Sequence, residues 1–540
     1  MRLIALLLLI LVVSLAGCGS EPTPPAPTPG ILVATTETTV TPEPTPTHPP
    51  TPSVTPTPAN TPTPAATATP TPIAALAPWS RYAEALRPAA WQAFDPAVNP
   101  AAFKLLSGMT TYSLTITLAP DLSRLSGTAC IGYTNQTTTT LDAIYLHLFP
   151  NLWRAGMTVG DVQVAGKPVT HTLQSNASIL RVPLATPLAP GAATDLTIAY
   201  ASPILKGEGA GNYGEFSLDN GSLALGHSYP SVVVYDTAWR VEKPAEQGDV
   251  TFHDAAFYDV ALTGPADLVV AATGATLAET PNGDGATTWR LVGGPMRDFN
   301  VIAHADYRVY SGTVGDMTVN SYFFPGDEAG GRKALSWAMA ALREFEKEFG
   351  PYPYRELDVA AMPTKAGGIE YPGLVAIGNL AYGNPNEETF FESVVVHEVA
   401  HQWWYNVVGN DQINHPWLDE ALAQYSTYLY VLDTYGKEDA QGFVDRVTNL
   451  RWGGVGYKEK PIGLPVASYP GAEYGGLVYG RGPLFFLALR ERLGEAKMTE
   501  FLRRYYAENT WRIATPDGFR KLAEEVAGED LGDLFKKWVG

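Results

Sequence analysis

Cysteine is almost absent from this sequence. Among its 540 residues there are only two, Cys18 and Cys130. A structural zinc site often takes several of its four ligands from cysteine, and a disulfide framework needs an even set of paired cysteines. The sequence therefore excludes a cysteine-based structural metal site and a fold that is held together by disulfides.

Positive charge is scarce as well. Lys and Arg number 36 against 55 Asp and Glu, which gives a formal net charge of −19 at pH 7. Nucleic acids and anionic membrane surfaces repel a protein of this charge. We therefore expect no nucleic acid among its partners. Charged residues make up 17% of the chain, a low value that suits a large exported globular protein.

The first residues of the sequence include a hydrophobic run, but this run is too short to span a membrane. The apolar stretch from Leu3 to Ala16 follows Arg2. It is shorter than the roughly 20 residues of a membrane span and suits a secretion signal. The sequence Leu15-Ala16-Gly17-Cys18 resembles the lipobox of bacterial lipoproteins. That resemblance implies a signal peptide over residues 1–18 and a lipid on Cys18; an uncleaved signal anchor is the alternative.

Residues 19–75 form a region of low complexity. From Glu21 to Thr71 the chain consists mostly of Pro, Thr and Ala, and such a segment cannot bury enough apolar surface to fold. A Pro-rich chain extends by about 3.1 Å per residue, so this predicted disordered linker can hold a domain roughly 150 Å from the membrane. We expect an exported protein at the cell surface or in the periplasm, anchored to the membrane through Cys18.

The remainder of the chain changes character along its length. Between Thr110 and about Tyr310, short segments alternate polar and apolar residues, and turn residues separate them; predicted strands are 111–118, 141–148, 194–200 and 258–263. After Pro325 the apolar residues follow the period of a helix, with a further predicted strand over residues 366–377. The pattern predicts an α+β protein with an antiparallel β-sandwich in an N-terminal region, residues 76–310, and a mainly helical domain, residues 311–540.

The segment HEVAH, from His397 to His401, carries the clearest chemical motif. Its two histidines are four positions apart and share one face of a helix, where both imidazoles can reach one metal ion. Glu398 lies beside that face, within reach of a water molecule on the metal. This spacing is typical of zinc-dependent peptidases.

Glu420 is the candidate third ligand. Eighteen residues separate it from His401, and it opens a second predicted helix that ends near Tyr435. Two histidines and one carboxylate leave one coordination position for water, which indicates a catalytic rather than a structural zinc site. We therefore predict one Zn²⁺ per chain. The alternative for Glu420 is an acid that the helix dipole stabilises.

The predicted zinc site implies amide hydrolysis. Zinc lowers the pKa of its bound water and polarises a carbonyl oxygen, and Glu398 would take the water proton and pass it to the leaving amine. His415 is a further candidate ligand that the spacing does not require, and we interpret it as a loop residue. Asp419 either supports a ligand or caps the second helix.

These motifs resemble those of the aminopeptidase-N-like zinc peptidases, a family of gluzincins. The family has HExxH, a glutamate like Glu420, and an upstream Gly-x-Met-Glu-Asn motif, which Gly367-Gly368-Ile369-Glu370-Tyr371 resembles. The segment FGPYPY from Phe349 and the segment MRDF from Met296 are similar to others of the family. The resemblance covers about Leu105 to Gly540. It implies a thermolysin-like catalytic domain over residues 311–540 and aminopeptidase activity on peptides with a free N-terminus.

The resemblance also implies substrate-binding residues. In the family the motif glutamate binds the α-ammonium of the substrate, which assigns that role to Glu370. The backbone of Gly367 and Gly368 can approach a peptide closely because no side chain intervenes. The family stabilises the oxyanion with a tyrosine in a Tyr-x-Lys-Gly-like segment, and Tyr479-Gly480-Arg481-Gly482 is similar. Tyr479 is thus the implied oxyanion donor; a packed aromatic is the alternative.

The sequence departs from the family pattern at several positions. Ile369 stands in place of Met, Tyr371 in place of Asn and Ala421 in place of the usual Gly. Because Glu370 is retained, the implied amine recognition stands, while Tyr371 is expected to change the first subsite. The chain ends about where the family's catalytic domain ends. Without the helical C-terminal domain of longer members, we expect a groove that is more open to solvent.

Two other functions remain open on the sequence alone. An endopeptidase can use the same zinc site, in which case Glu370 anchors no amine. A surface binding module with a vestigial zinc site is the second alternative, although the complete set of base, ligands and oxyanion donor argues against it.

Overall fold

The computed structural model of the chain describes residues 92–95, 103–207, 210–384 and 388–540. The predicted signal peptide over residues 1–18, its Cys18 and the predicted linker over residues 19–75 lie outside these ranges. Within the described ranges, no helix is both long enough and apolar enough to cross a membrane.

The N-terminal part contains two sheets that pack face to face. The larger has eight strands in the order Ala275–Pro281, Ala286–Met296, Ala256–Pro265, Thr110–Leu118, Arg124–Thr134, Ala193–Pro203, Thr158–Val164 and Lys167–Pro168. The smaller has the order Ser231–Val232, Leu141–His147, Ile179–Leu188 and Thr172–Gln174. Leu114 and Ile198 of the larger sheet share one buried core with Ile144 and Leu180 of the smaller. The predicted β-sandwich is confirmed.

One pairing in the eight-stranded sheet departs from the expected antiparallel order. Thr110–Leu118 lies parallel to Ala256–Pro265, with Leu114 opposite Val260, and antiparallel to Arg124–Thr134 on its other side. Parallel neighbours require a long connection, and the strands between these two segments provide it. The polar and apolar pattern of a single strand does not show which distant strand it pairs with.

A third sheet joins the sandwich to the C-terminal part. Its strands are Val269–Ala272, Val301–His304, Ser222–Leu225, Phe216–Asp219 and Leu205–Lys206, in that order. Ala271 and Ile302 of this sheet pack in one apolar cluster with Ala360 and Leu374 of the C-terminal part. The junction is therefore a buried apolar contact.

The C-terminal part begins with a five-stranded sheet. Its order is Arg308–Val314, Met317–Phe323, Glu356–Met362, Leu374–Gly378 and Gly368–Ile369. The first strand spans the predicted domain boundary at residue 310. The single strand expected over residues 366–377 is instead two short antiparallel strands, because Pro372 and Gly373, whose φ is 68°, turn the chain between them.

Helices make up most of the chain after residue 388, as predicted. The described helices are Phe149–Leu152, Glu328–Glu348, Glu388–Ala400, Glu420–Tyr435, Lys437–Phe443, Leu450–Gly454, Glu473–Gly476, Gly482–Leu493, Glu495–Asn509, Pro516–Ala527 and Gly532–Trp538. Short 3₁₀ turns cover Phe103–Gly108, Asn379–Ala381, Pro416–Leu418 and Val466–Ser468, and π-helical turns cover Val444–Asn449 and Leu477–Arg481. We name Glu388–Ala400 the HEVAH helix and Glu420–Tyr435 the Glu420 helix.

Arg297 fastens the end of the β-region to the C-terminal domain. Its side chain is 2% exposed. The guanidinium donates to the carbonyl oxygens of Tyr405, Asn406, Val407 and Arg512, at distances of 3.2, 3.1, 3.1 and 2.7 Å, and to that of His253 at 3.2 Å. A Cβ on Gly409 would lie 2.6 Å from the Arg297 Nε, so only glycine leaves room for this side chain.

Replacing Arg297 should destabilise the protein. Arg297→Met removes the charged donor from a set of buried carbonyl oxygens, and we expect the free energy of unfolding to fall by about 3 kcal/mol or more. Denaturant unfolding measures the effect. The exposed Arg343 is the control position, and Arg343→Met should be nearly neutral. Equal unfolding midpoints for the two variants would show that the Arg297 network does not stabilise the junction.

Candidate active site

The HEVAH helix is buried on nearly all sides around its C-terminal end. Val395, Val396, Val399 and Ala400 are buried, so the end of this helix belongs to the core rather than to the surface. The helix ends at Ala400, and the N–H of His401 donates to the carbonyl oxygen of His397 at 3.3 Å. His401 therefore continues the last turn, and the two histidines lie on one face as predicted.

The Glu420 helix starts at the predicted residue. The carboxylate of Asp419 accepts the N–H of Glu420 at 2.7 Å and caps the helix, which is the second of the two roles considered for Asp419. Burial, followed by the charge of Glu420, raises the pKa of Asp419 to about 8. The buried Trp417 precedes this cap and holds the start of the helix in the core.

Three predicted ligands meet at one point. The Nε2 atoms of His397 and His401 are 3.1 Å apart, and the Oε2 atom of Glu420 lies 3.1 Å from the first and 3.3 Å from the second. In a tetrahedral zinc site with bonds of about 2.0–2.1 Å, ligand atoms are separated by roughly 3.3 Å. The three atoms thus match one face of such a tetrahedron and leave its fourth corner open.

The hydrogen bond of His401 and the burial of His397 suit this role. The Nδ1 of His401 pairs with the carbonyl oxygen of Trp404 at 2.9 Å, so that nitrogen carries the hydrogen and Nε2 keeps its lone pair. Burial lowers the pKa of His397 to about 4, which keeps it neutral. Burial also lowers the pKa of His401, but the charges of Glu420, Glu370 and Glu398 outweigh it and raise that pKa. The site is rich in negative charge and favours a cation.

Glu398 is buried beside this set, 5% exposed. Burial raises its pKa well above the usual range; His401 opposes this shift, while Glu370 and Glu420 add to it. A Cβ on Gly368 would lie 2.5 Å from the carboxyl carbon of Glu398, whereas a Cβ on Gly367 would meet Val394 at an ordinary 3.5 Å. Gly368 therefore makes room for Glu398, a reason that differs from the close approach of a peptide inferred from the sequence.

Glu370 faces the same pocket from the β-hairpin. It is 7% exposed, and its Oε1 accepts a hydrogen bond from Gln412 Nε2 at 2.9 Å. Gln412 in turn accepts from the hydroxyl of Thr251 at 2.5 Å. Burial and the charge of Glu420 raise the pKa of Glu370, and His401 opposes the shift. The carboxylate is thus held in place, with one of its two oxygens bound to Gln412.

Tyr371 contacts residues of the N-terminal region. Its ring lies 6.2 Å from that of His227, in an edge-on contact, and a Cβ on Gly226 would lie 3.0 Å from its hydroxyl. Tyr371 therefore packs toward the N-terminal region. The expectation that it changes the first subsite stays a prediction.

Tyr479 lies next to the three ligands. Its hydroxyl donates to Glu420 Oε1, and its ring is 5.8 Å from the ring of His397 and 5.5 Å from that of Tyr474. It sits in the π-helical turn Leu477–Arg481, a conformation that is frequent at functional sites. The side chain is close enough to reach a group bound beside the ligands.

His415 is not part of the ligand set. Within the described ranges, the two groups of three potential metal ligands are His397, His401 and Glu420, and His227, His253 and Asp298. The N–H of His415 donates to the carbonyl oxygen of Asp411 at 2.7 Å, which agrees with its interpretation as a loop residue.

The sequence did not indicate two residues of the pocket, Gln412 and Asp249. Asp249 lies in the chain between Ser231–Val232 and Ala256–Pro265, and its carboxyl group hydrogen-bonds to Glu420. Burial raises its pKa well above the usual range, and the charges of Glu370, Glu420 and Asp419 add to this. Neither residue belongs to a local motif, so only the fold brings them to the site.

Residues 333–538 match the peptidase family M1 domain. This match confirms the family resemblance inferred from HEVAH, Glu420 and the motif around Glu370.

Several proteins of similar sequence are named aminopeptidases. Aminopeptidase M1-B of Oryza sativa subsp. japonica is 27% identical over 297 residues, which are 52% of this chain and 34% of that protein. Aminopeptidase 2 of Candida albicans is 26% identical over 268 residues, 46% of this chain and 27% of that protein. The chain spans about a third or less of the length of these relatives.

Solved structures of similar fold cover more of the chain. The M1 zinc metallopeptidase of Deinococcus radiodurans has a TM-score of 0.62 at 22% identity and matches 80% of this chain and 94% of its own. A variant of that enzyme bound to a Tyr-Ser-Ala substrate has a TM-score of 0.60 at 22% identity, with the same coverage. The likeness confirms the predicted α+β fold, a β-region followed by a mainly helical domain.

Proposed function

We propose that this chain is a zinc-dependent aminopeptidase that removes N-terminal residues from peptides. The observation that carries the proposal is the set of His397, His401 and Glu420, whose ligand atoms lie 3.1–3.3 Å apart beside two further buried carboxylates. The aminopeptidases among its relatives and the zinc metallopeptidases of similar fold support it.

The three ligands would hold one Zn²⁺, which supplies Lewis acidity to the substrate carbonyl and lowers the pKa of a water molecule. Glu398 would accept the proton of the attacking water and deliver it to the nitrogen of the leaving peptide. Burial keeps Glu398 out of bulk water, and the raised pKa of its carboxyl group makes it a better proton acceptor.

Tyr479 would stabilise the negative charge that develops on the carbonyl oxygen. Its hydroxyl donates to Glu420, so the donor already points to the ligand set. Donation to the substrate oxygen requires only that this hydrogen bond be exchanged for another. A donor aimed at the developing oxyanion commonly contributes about 3 kcal/mol to lowering the barrier.

Glu370 would bind the α-ammonium of the substrate. A buried carboxylate is costly without a cationic partner, and the side-chain donor to Oε1 of Glu370 is the neutral amide of Gln412. The carboxyl group of Asp249, whose pKa burial raises well above the usual range, also lies near Glu370 and Glu420. The ligands seen in structures of similar fold, a Tyr-Ser-Ala substrate and L-arginine, carry free amines and fit this assignment.

The membrane anchor is part of the proposal as well. Export through residues 1–18 and lipidation of Cys18 would place the peptidase domain outside the cytoplasm, at the end of the Pro/Thr-rich segment 19–75. The peptides that it meets would then be extracellular or periplasmic.

The exchange Glu398→Gln should abolish turnover and retain zinc. The amide has the shape of the carboxylate but cannot accept the water proton, so we expect kcat to fall by about 10²–10⁴-fold at an unchanged zinc content. Hydrolysis of aminoacyl amides and metal analysis give the two values. Glu388→Gln, at the exposed start of the same helix, is the control and should behave as the wild type. Near-normal turnover of Glu398→Gln would refute the role of this residue as base.

Removal of the Glu370 carboxylate should cancel the preference for a free amine. For Glu370→Ala we expect kcat/KM on free aminoacyl substrates to fall by about two orders of magnitude, because a buried charge pair loses one partner. N-acetylated peptides should be poor substrates for the wild type and for the variant alike. If the wild type cleaves blocked peptides as fast as free ones, the enzyme is an endopeptidase and Glu370 is not an amine anchor.

A methyl group on Gly368 should displace the base. In Gly368→Ala the new Cβ would overlap the carboxyl group of Glu398, which must move away, and a shift of about 1 Å near the reacting atoms can cost 10²-fold in rate. Gly160→Ala, in the N-terminal sheet, is the control, since its Cβ meets Ala199 at an ordinary 3.5 Å. The ratio of the two kcat values reports the effect, and a ratio near one would contradict the assigned packing.

A further inference from the structure

A second group of potential metal ligands lies outside the site described above. It consists of His227, His253 and Asp298, which are 2%, 5% and 0% exposed. Each residue offers one ligand atom within 4.8 Å of the others. None of the three belongs to the proposed catalytic machinery, and all come from the β-region, between its strands. We name them the interdomain triad, because Tyr371 and Tyr405 of the C-terminal domain close it on one side.

The hydrogen bonds around the triad leave one nitrogen on each histidine unused. The Nε2 of His227 lies 3.3 Å from Glu215 Oε2, and the Nε2 of His253 lies 3.2 Å from the hydroxyl of Ser231. In both histidines the buried Nδ1 has no hydrogen-bond partner among the described residues. The Nδ1 of His227 is 3.9 Å from Asp298 Oδ2. Histidines that bind a metal usually have their other nitrogen held in this way by a carboxylate or another polar group.

The third member of the triad, Asp298, is also held by hydrogen bonds. The carboxylate of Asp298 accepts hydrogen bonds from the amide of Asn300 and from the hydroxyl of Tyr405. Two residues of this neighbourhood have unusual backbone angles, His227 with a φ of 51° and Tyr405 with a φ of 127°. Such conformations persist where the surroundings fix them. The packing around these two residues therefore fixes the orientation of their side chains.

The charges around the triad favour a cation. Burial lowers the pKa of His227, but its hydrogen bond to Glu215 and the charges of Asp298 and Glu215 outweigh this and raise the pKa above the usual value. Burial lowers the pKa of His253 well below the usual value, and His227, His147 and Arg297 lower it further. The guanidinium of Arg297 is, however, engaged with backbone carbonyl oxygens. Either a proton on His227 or a metal ion can supply the missing positive charge.

We propose that His227, His253 and Asp298 bind a divalent transition-metal ion, in addition to the zinc of the active site. Two imidazoles and one carboxylate are a ligand set that zinc and other first-row ions accept. The separation of 3.9 Å between His227 Nδ1 and Asp298 Oδ2 exceeds the 3.1–3.3 Å of the first set, so the ion draws these side chains together. Glu215 and Ser231 orient the two imidazoles.

Neighbouring polar side chains run from the triad to Glu370, the proposed amine-binding residue. Tyr405 donates to Asp298 and lies beside Thr251. The hydroxyl of Thr251 donates to Gln412, which donates to Glu370. An ion at the triad therefore orders the support of Glu370 without touching the substrate. The role of the ion is to stabilise the structure and to position Glu370.

Metal content tests the proposal. The purified protein is stripped with a chelator, reloaded with Zn²⁺ and passed through a desalting column before elemental analysis. We expect about two zinc ions per chain in the wild type, one in His253→Gln, one in His397→Gln and none in the double variant. One zinc in the wild type, with no further loss in His253→Gln, would overturn the proposal and identify His227 as an imidazolium paired with Glu215 and Asp298.

Thermal unfolding in the His397→Gln background provides a second measurement that does not depend on activity. Added Zn²⁺ should raise the unfolding midpoint of this variant by binding to the triad. The further exchange His253→Gln should abolish the increase, and Ser231→Ala, which removes only a partner of His253, should weaken it. His147→Gln is the matched control, a buried histidine whose ring lies 6.3 Å from that of His253, and it should retain the increase. An absent increase in His397→Gln alone would also refute the second site.

Discussion

Buried negative charge is the constraint on which this structure depends. Glu370, Glu398 and Glu420 are 7%, 5% and 3% exposed and lie around one pair of histidines, with the carboxyl group of Asp249 bonded to Glu420. Uncompensated charges of this kind would destabilise the fold by several kcal/mol each. In the proposed function, a divalent ion on one side and a substrate ammonium on the other compensate them. The same charges that are costly without such partners therefore favour cations at this site.

The parts of the site that could be predicted are those fixed by local geometry or by a motif. His397, His401 and Glu420 follow from the 3.6-residue period of the helix and from the start of a second helix. The second helix starts where it was expected, and the first contains the motif and ends at Ala400. Glu370 and Tyr479 were inferred from a family resemblance, because neither position has a local pattern that demands its role. Asp249, Thr251 and Gln412 could not be predicted, since their contacts join segments far apart in the chain.

The same division holds for the fold. Period-two alternation predicted the strands that became Thr110–Leu118, Leu141–His147, Ala193–Pro203 and Ala256–Pro265, because each buries one face. It did not predict that Thr110–Leu118 pairs in parallel with Ala256–Pro265, which is a property of the whole topology. Nor does an apolar stretch show where it turns, and the strand expected over residues 366–377 is divided at Pro372 and Gly373. That turn places Glu370 at the edge of the sheet, facing the ligand set.

The β-region is more than a support for the peptidase domain. Its loop between Ser231–Val232 and Ala256–Pro265 supplies Asp249 and Thr251, which reach Glu420 and Gln412. Arg297, at the end of the region, binds the carbonyl oxygens of Tyr405, Asn406 and Val407, only a few residues after the ligand His401. A change in the packing between the two parts must therefore move both the metal ligand and the support of Glu370. Because the site has contributions from both parts, the proposed amine recognition requires that the two be fixed to one another, and the buried Arg297 with its set of carbonyl acceptors meets that requirement.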